Sequence, residues 1–190
     1  MSKLFRVIDC MGFTNLKLVV MKYLFRKKIQ FSLIHVISSN TRIELAKGAK
    51  LNLGKMTNIT GSMLCIRENG LLDIQKGVFM NSGVIVTCRE RISIGEDTLF
   101  GPNVLIYDHD HAINKDGFVE KKKFVAKPVE IGKGCWIGAG TIILKGTVIG
   151  ENSIVGAGCV LNGTYPSNSV IVQKRETSIR EKRISGEDKW

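Results

Sequence analysis

The chain has 190 residues, 44% of them apolar, which excludes a disordered chain and is enough for one domain with a substantial core. Its formal charge of +11 suits an acidic partner such as nucleic acid, an anionic membrane or a phosphorylated ligand. No run of about twenty apolar residues occurs, so no spanning helix is expected, and the N-terminus lacks the apolar segment and cleavage site of a signal peptide.

Residues 1–40 read as a basic cap or amphipathic segment. Phe13, Leu16, Val20 and Leu24 recur at helical spacing, with Lys17, Lys22, Arg26, Lys27 and Lys28 between or after them. Such a helix caps the open end of a repeat and hides a sheet edge, or lies on the inner face of a membrane. His35, between Ile34 and Val36, reads as structural.

Residues 41–172 carry a period of six. Ile131, Ile137, Ile143, Ile149, Val155 and Leu161 follow one another at six-residue steps without a gap. Gly132, Gly138, Gly150 and Gly156 come directly after four of them, and Cys135, Thr141, Thr147, Ser153 and Cys159 stand four residues on. That period fits neither an α-helix nor a simple strand alternation, so it marks a repeat whose coils bury one aliphatic column by stacking. Further upstream the same register fits Leu53, Ile59, Cys65, then Ile74, Met80, Val86, then Ile94, Phe100, Ile106. Each slip follows three hexads, the length of one turn of a triangular prism, which predicts that every insertion leaves from one edge. The fold class expected is all-β, a parallel β-helix.

Cys10, Cys65, Cys88, Cys135 and Cys159 form no CxxC or CxxH pair, and three of them fall on repeat positions. They read as buried small residues in a reducing, cytoplasmic setting. The repeat breaks from about Asp108 to Val129, a polar stretch too long for a turn and expected to be an extended functional loop. After Leu161 the pattern dissolves at Tyr165-Pro166, and 173–190 form a basic tail. No nucleic-acid-reading motif or stacking aromatic series accompanies the charge.

At the root of the break stands Asp108-His109-Asp110-His111. On an extended segment the two His share one face and the two Asp the other. Two His without a third protein ligand make a poor zinc site, so no metal is expected. A His of near-neutral pKa at a loop root can instead act as general base, its tautomer fixed by Asp108 or Asp110. Downstream, Gly138-Ala139-Gly140 and Gly156-Ala157-Gly158 are small enough for a slender ligand to lie along exposed backbone groups, with Trp136 pointing outward beside them.

The hexads IGKGCW-IGAGTI-ILKGTV-IGENSI-VGAGCV, preceded by IGEDTL-FGPNVL-IYDHDHAI, resemble the hexapeptide-repeat acyltransferases, among them the maltose and galactoside O-acetyltransferases and the O-acetyltransferases of capsule, lipopolysaccharide and exopolysaccharide synthesis. The resemblance covers about Ile74 to Val172 well and is absent in the first 40 residues. It implies a left-handed handedness for the β-helix and a homotrimer with active sites between subunits. It also implies acetyl-CoA as donor and transfer to a sugar hydroxyl, on an acceptor that is free, nucleotide-linked or lipid-linked. By position the family's catalytic His falls on His111. Asn81 matches an acceptor-binding Asn, and Tyr107 and His109 are expected on the acceptor side. Trp136, Gly138, Ala139 and Ala157 match positions along the pantetheine arm. Two departures stand out. Asn162-Gly163 replace a Thr-Lys pair, and Gln173-Lys174-Arg175-Glu176-Thr177 replace the family's terminal segment, so that Lys174 or Arg175 would have to meet the nucleotide end. The rival readings are an N-acyltransferase of a nucleotide-linked amino sugar and a non-catalytic scaffold.

Overall fold

The computed structural model describes residues 23, 29–31, 35–174 and 176–179. The predicted helix over Phe13–Leu24 and the basic run after it lie outside these, except for Tyr23, which is helical and exposed.

The chain winds as a parallel β-solenoid of three faces. The first coil is β1 (Ile29–Phe31), β2 (Val36–Ile37) and β3 (Arg42–Leu45), and the second is β4 (Lys50–Leu53), β5 (Asn58–Ile59) and β6 (Met63–Ile66). The third is β7 (Leu71–Ile74), β8 (Phe79–Met80) and β9 (Ile85–Cys88), and the fourth is β10 (Arg91–Ile94), β11 (Leu99–Phe100) and β12 (Leu105–Tyr107). A projecting hairpin follows, β13 (His109–Ile113) and β14 (Val119–Ala126). Winding resumes with β15 (Val129–Ile131), β16 (Trp136–Ile137) and β17 (Ile142–Ile143), then β18 (Val148–Ile149), β19 (Ile154–Val155) and β20 (Val160–Leu161), and ends with β21 (Thr164–Tyr165) and β22 (Val170–Ile171). The first, second and third strands of successive coils stack into three parallel sheets.

The inward column is the six-step series: Ile74, Ile94, Ile131 and Ile149 in the first sheet, Met80, Phe100, Ile137 and Val155 in the second, Val86, Ile106, Ile143 and Leu161 in the third, all buried. From Ile94 onward glycine follows the inward residue at the first two corners, where the next coil passes closely, through Val155, whereas Ser38, Thr60, Gln75 and Asn81 stand there in earlier coils. A Cβ on Gly132 would stand 2.5 Å from the Glu151 backbone nitrogen, and one on Gly138 2.6 Å from that of Ala157. At the third corner the equivalent residues are Thr87, Tyr107, Leu144 and Asn162, so close approach is not required. The small buried residues four steps on answer the corner carbonyls: the Thr98 hydroxyl donates to Gly132 O at 2.9 Å and that of Thr147 to Leu144 O at 2.6 Å. Cys88, Cys135 and Cys159 lie in the core, and the four described cysteines are free.

All three interruptions of the period leave from the third corner, between third and first sheets, as the prism count predicts. Three expectations are corrected. At the second coil the inward residues are Leu64 and Ile66; Cys65, although buried, lies on the outer side of its strand in register with Glu44 and Thr87. The corner Thr60-Gly61-Ser62 is one residue shorter than a hexad needs. The solenoid also begins before residue 41, since Ile29 is buried and pairs with Leu51. Its C-terminal end lies near residue 172 as expected, with Tyr165 and Ile171 packed against the core in register with Ile149 and Val155. The interruption at 108–129 is an antiparallel hairpin rather than an irregular loop. At the C-terminal end the Gln173 side chain accepts from Val160 N at 2.9 Å and donates to Val160 O at 2.7 Å.

The three outer faces differ in chemistry. In register, the first sheet presents Gln30, Asn52, Asp73, Ser93 and Glu130. The second presents Phe79, Leu99, Trp136, Ile154 and Val170, and the third Met63, Ile85, Leu105, Ile142 and Val160.

Left-handed backbone recurs in the corner between first and second sheets, at Gly77, Asp97, Gly134, Asn152 and Asn168, residue types that tolerate it. Met56 holds the same place with φ of 59° and an exposed side chain. Met56→Gly is therefore expected to stabilise the fold by about 1 kcal/mol, read as a higher midpoint in chemical denaturation.

Candidate functional site

The hairpin is fastened to the third corner at its base. Lys127 N donates to Asp108 O at 2.8 Å, and Gly146 N donates to Lys127 O at 3.2 Å. Lys145, one coil above, forms an ion pair with Asp110. The tip turns on Asn114, whose side-chain oxygen accepts from Asp116 N and Phe118 N, with Gly117 in the left-handed region.

Asp108 is fully buried. Both carboxylate oxygens accept from Arg89 N at 2.9 Å, Oδ2 also accepts from Glu90 N at 2.7 Å, and Oδ1 lies 2.9 Å from His109 Nδ1. Those donors meet the requirement of a buried carboxylate. Burial pushes the neighbouring Cys88 thiol far up, and the Asp108 charge adds to it.

His109 and His111 share the inner face of the hairpin, opposite Ala126 and Phe124, as the alternation predicts. Of the two expected partners, neither Asp reaches His111. Asp108 takes His109 and Asp110 takes Lys145. His111 Nδ1 instead lies 3.1 Å from the Glu120 carbonyl oxygen. A carbonyl can only accept, so Nδ1 carries the hydrogen, and in the neutral ring Nε2 keeps its lone pair. His111 is exposed, whereas the His109 side chain is only 12% exposed. Phe124 is the residue that sequence reasoning missed. Its ring centroid lies 4.5 Å from that of His111 and 5.5 Å from that of His109, with the Arg89 guanidinium carbon 3.4 Å from its centre. No sequence signal marked it, because Phe124 meets the two His only through the register of the hairpin. His35 is buried against Thr57 Oγ1, in keeping with a structural role.

The remaining predicted residues stand elsewhere. Trp136 projects from the second sheet, 55% exposed. Gly138, Ala139, Ala157 and Asn81 lie at the second corner, where the chain enters the third sheet. Most backbone groups expected to be free there are used by the stack: Gly138 N donates to Val155 O, Gly140 N to Pro102 O and Gly158 N to Ala139 O. Among the described residues the N–H groups of Ala139 and Ala157 have no partner, so two donors remain, one coil apart. The Asn81 side chain accepts from Ser82 N. Lys174 is exposed beyond β22, and Arg175 lies outside the described residues.

Within one chain, then, the structure brings Tyr107, Asp108, His109, Asp110 and His111 together at the third corner and gathers Asn81, Ala139 and Ala157 at the second. The two groups lie at opposite ends of the third-sheet strands, more than ~10 Å apart at the rise of an extended chain. Among the described residues no group of three or more His, Cys, Asp or Glu could hold a metal ion.

Residues 128–163 match the family described as "Bacterial transferase hexapeptide (six repeats)". No curated protein matches the chain in sequence. Among solved structures it is similar to a point mutant of AntD, an N-acyltransferase from Bacillus cereus in complex with dTDP-4-amino-4,6-dideoxyglucose and coenzyme A, with a TM-score of 0.64 at 15% identity over 85% of this chain and 90% of that one. It is also similar to the hexapeptide-repeat containing acetyltransferase VCA0836 from Vibrio cholerae O1 biovar eltor, complexed with acetyl coenzyme A, with a TM-score of 0.51 at 19% identity over 90% of this chain and 85% of that one. These likenesses bear on the fold, which is the hexapeptide-repeat solenoid.

Removing the Lys145–Asp110 tie takes away one of the side-chain ties at the hairpin base, leaving the Asp108 carboxylate bonds, the Arg89–Phe124 contact and the backbone bonds. Lys145→Ala is expected to speed trypsin cleavage at Lys121, Lys122 or Lys123 severalfold, followed by mass spectrometry of the fragments.

Proposed function

We propose that the protein is an acetyl-CoA-dependent O-acetyltransferase acting on a sugar hydroxyl in surface polysaccharide synthesis. It would work in the cytoplasm, at or near the inner face of the membrane, as a homotrimer whose sites lie between neighbouring chains. The observation that carries the reading is the hydrogen bond from His111 Nδ1 to the Glu120 carbonyl, which leaves an exposed imidazole presenting Nε2 as a base. Nε2 takes the proton of the acceptor hydroxyl, and the oxygen attacks the thioester carbonyl. The tetrahedral intermediate collapses with loss of the CoA sulfur, which regains a proton from His111. No nucleophilic side chain is called for. Backbone N–H donors at the oxyanion contribute about 3 kcal/mol each in other acyl-transfer enzymes.

The trimer is supported by the two half-sites lying at opposite ends of the third sheet. A second copy placing its second corner beside the first copy's hairpin would complete the site. The apolar outer faces of the second and third sheets give such copies something to bury, while the polar first sheet suits solvent. Trp136 and the N–H groups of Ala139 and Ala157 would then hold the pantetheine arm, with Asn81 and Tyr107 toward the acceptor.

His111→Ala is expected to lower turnover by ~10²–10⁴, with a smaller loss for His109→Ala. Full rate in the first variant would remove the assignment, and a larger loss in the second would transfer it to His109. Proline fits at residue 139, because Pro102 holds the same register position one coil below. Ala139→Pro therefore removes one N–H and is expected to weaken CoA binding in calorimetry about tenfold. Mixing His111→Ala with Ala139→Pro chains after joint refolding should restore part of the activity that each lacks. An equal screen of hydroxyl and amino sugar acceptors separates this reading from N-acyl transfer, the reaction named for AntD.

A further inference from the structure

We infer that Asp108 and Phe124 are positioning residues that aim His111, with His109 as the link between them. The inference rests on the reading of His111 as the base. Asp108 touches nothing on His111, yet it fixes what His111 leans on. Its buried carboxylate grips two corner amides, Arg89 N and Glu90 N, and the His109 ring. That ring meets Phe124 edge-on, at 78°. Phe124 then stacks on His111 at a tilt of 39°, with the Arg89 guanidinium over its ring. Arg89 is held in turn by Glu68 Oε2 at 2.9 Å, while its buried Nε has no hydrogen-bond partner among the described residues. The Arg89 guanidinium over the Phe124 ring is a cation–π contact that holds the ring from the corner.

Packing and charge thus form one continuous path: corner amides, Asp108, His109, Phe124, His111. Without it the only tie described on the His111 ring is one hydrogen bond to a backbone carbonyl. An imidazole free to rotate about its side-chain bonds would exchange tautomers and lose the fixed Nε2 lone pair.

The chain has three histidines, so its imidazole nitrogens are resolved individually after 15N-histidine labelling. In the wild-type protein above its pKa, His111 is expected to show the tautomer protonated on Nδ1. In Phe124→Leu the His111 nitrogens are expected to average between tautomers, and Phe124→Tyr, which keeps the ring, should restore the wild-type pattern. Asp108→Asn should change His111 as well as His109, although Asp108 contacts only the latter. Release of CoA from acetyl-CoA with water as acceptor should fall roughly tenfold to a hundredfold in kcat for Phe124→Leu, at unchanged KM. A His111 tautomer unaltered in Phe124→Leu overturns the inference, and this arm holds even where Asp108→Asn fails to fold. If His111→Ala leaves acetyl-CoA turnover intact while Phe124→Leu still shifts the His111 tautomer, the base assignment fails and the positioning path stands.

Discussion

Everything in this molecule depends on how closely one coil lies on the next. At two of the three corners the backbone of the following coil passes, from the fourth coil onward, where a β-carbon would sit, and glycine follows the inward residue at Gly95, Gly101, Gly132, Gly138 and Gly150. That approach lets the ladder bonds form, holds the inward columns in contact and gives the corner carbonyls their threonine and serine partners. The third corner escapes the constraint. It carries Thr87, Tyr107 and Leu144 after its inward residues, and it alone tolerates extra chain. The projecting hairpin stands at the corner where the scaffold is least demanding.

The hairpin uses that freedom and brings rigidity of another kind. Its strands pair with each other instead of joining a sheet, so its orientation must be fixed by side chains. A buried aspartate, a lysine from the coil above and an arginine lying on a phenylalanine supply that fixation. Buried charge is costly unless every lone pair is answered, and at Asp108 the answering groups are mostly backbone amides.

Much of the scaffold was legible in the sequence because the aliphatic columns repeat wherever a hexad is complete. Where a corner loses a residue, as at Thr60-Gly61-Ser62, counting by six lands on Cys65 and misses Leu64. The first coil was hidden because its strands begin at Ile29, upstream of any clean hexad. Tyr165 and Ile171 fell within the expected solenoid although the pattern dissolves there, because an aromatic and a shortened step broke the period without breaking the stack. At the site, alternation placed the two His on one face. It could not say which carboxylate met which ring, since Asp108 finds its amide partners on residues 18 and 19 positions earlier. Nor could it show the His111–Glu120 bond, whose acceptor is a main-chain oxygen and leaves no trace in residue type.

The glutamine at 173 carries a consequence for solubility. A parallel stack ends in a row of unsatisfied amides and carbonyls, an open template on which another chain can grow into a fibre. By accepting from Val160 N and donating to Val160 O, the Gln173 amide imitates one residue of the strand that a further coil would supply. It occupies the edge of the third sheet without offering a new edge of its own. A single side chain thereby covers the amide and carbonyl of Val160 that this edge of the third sheet would otherwise offer to another strand.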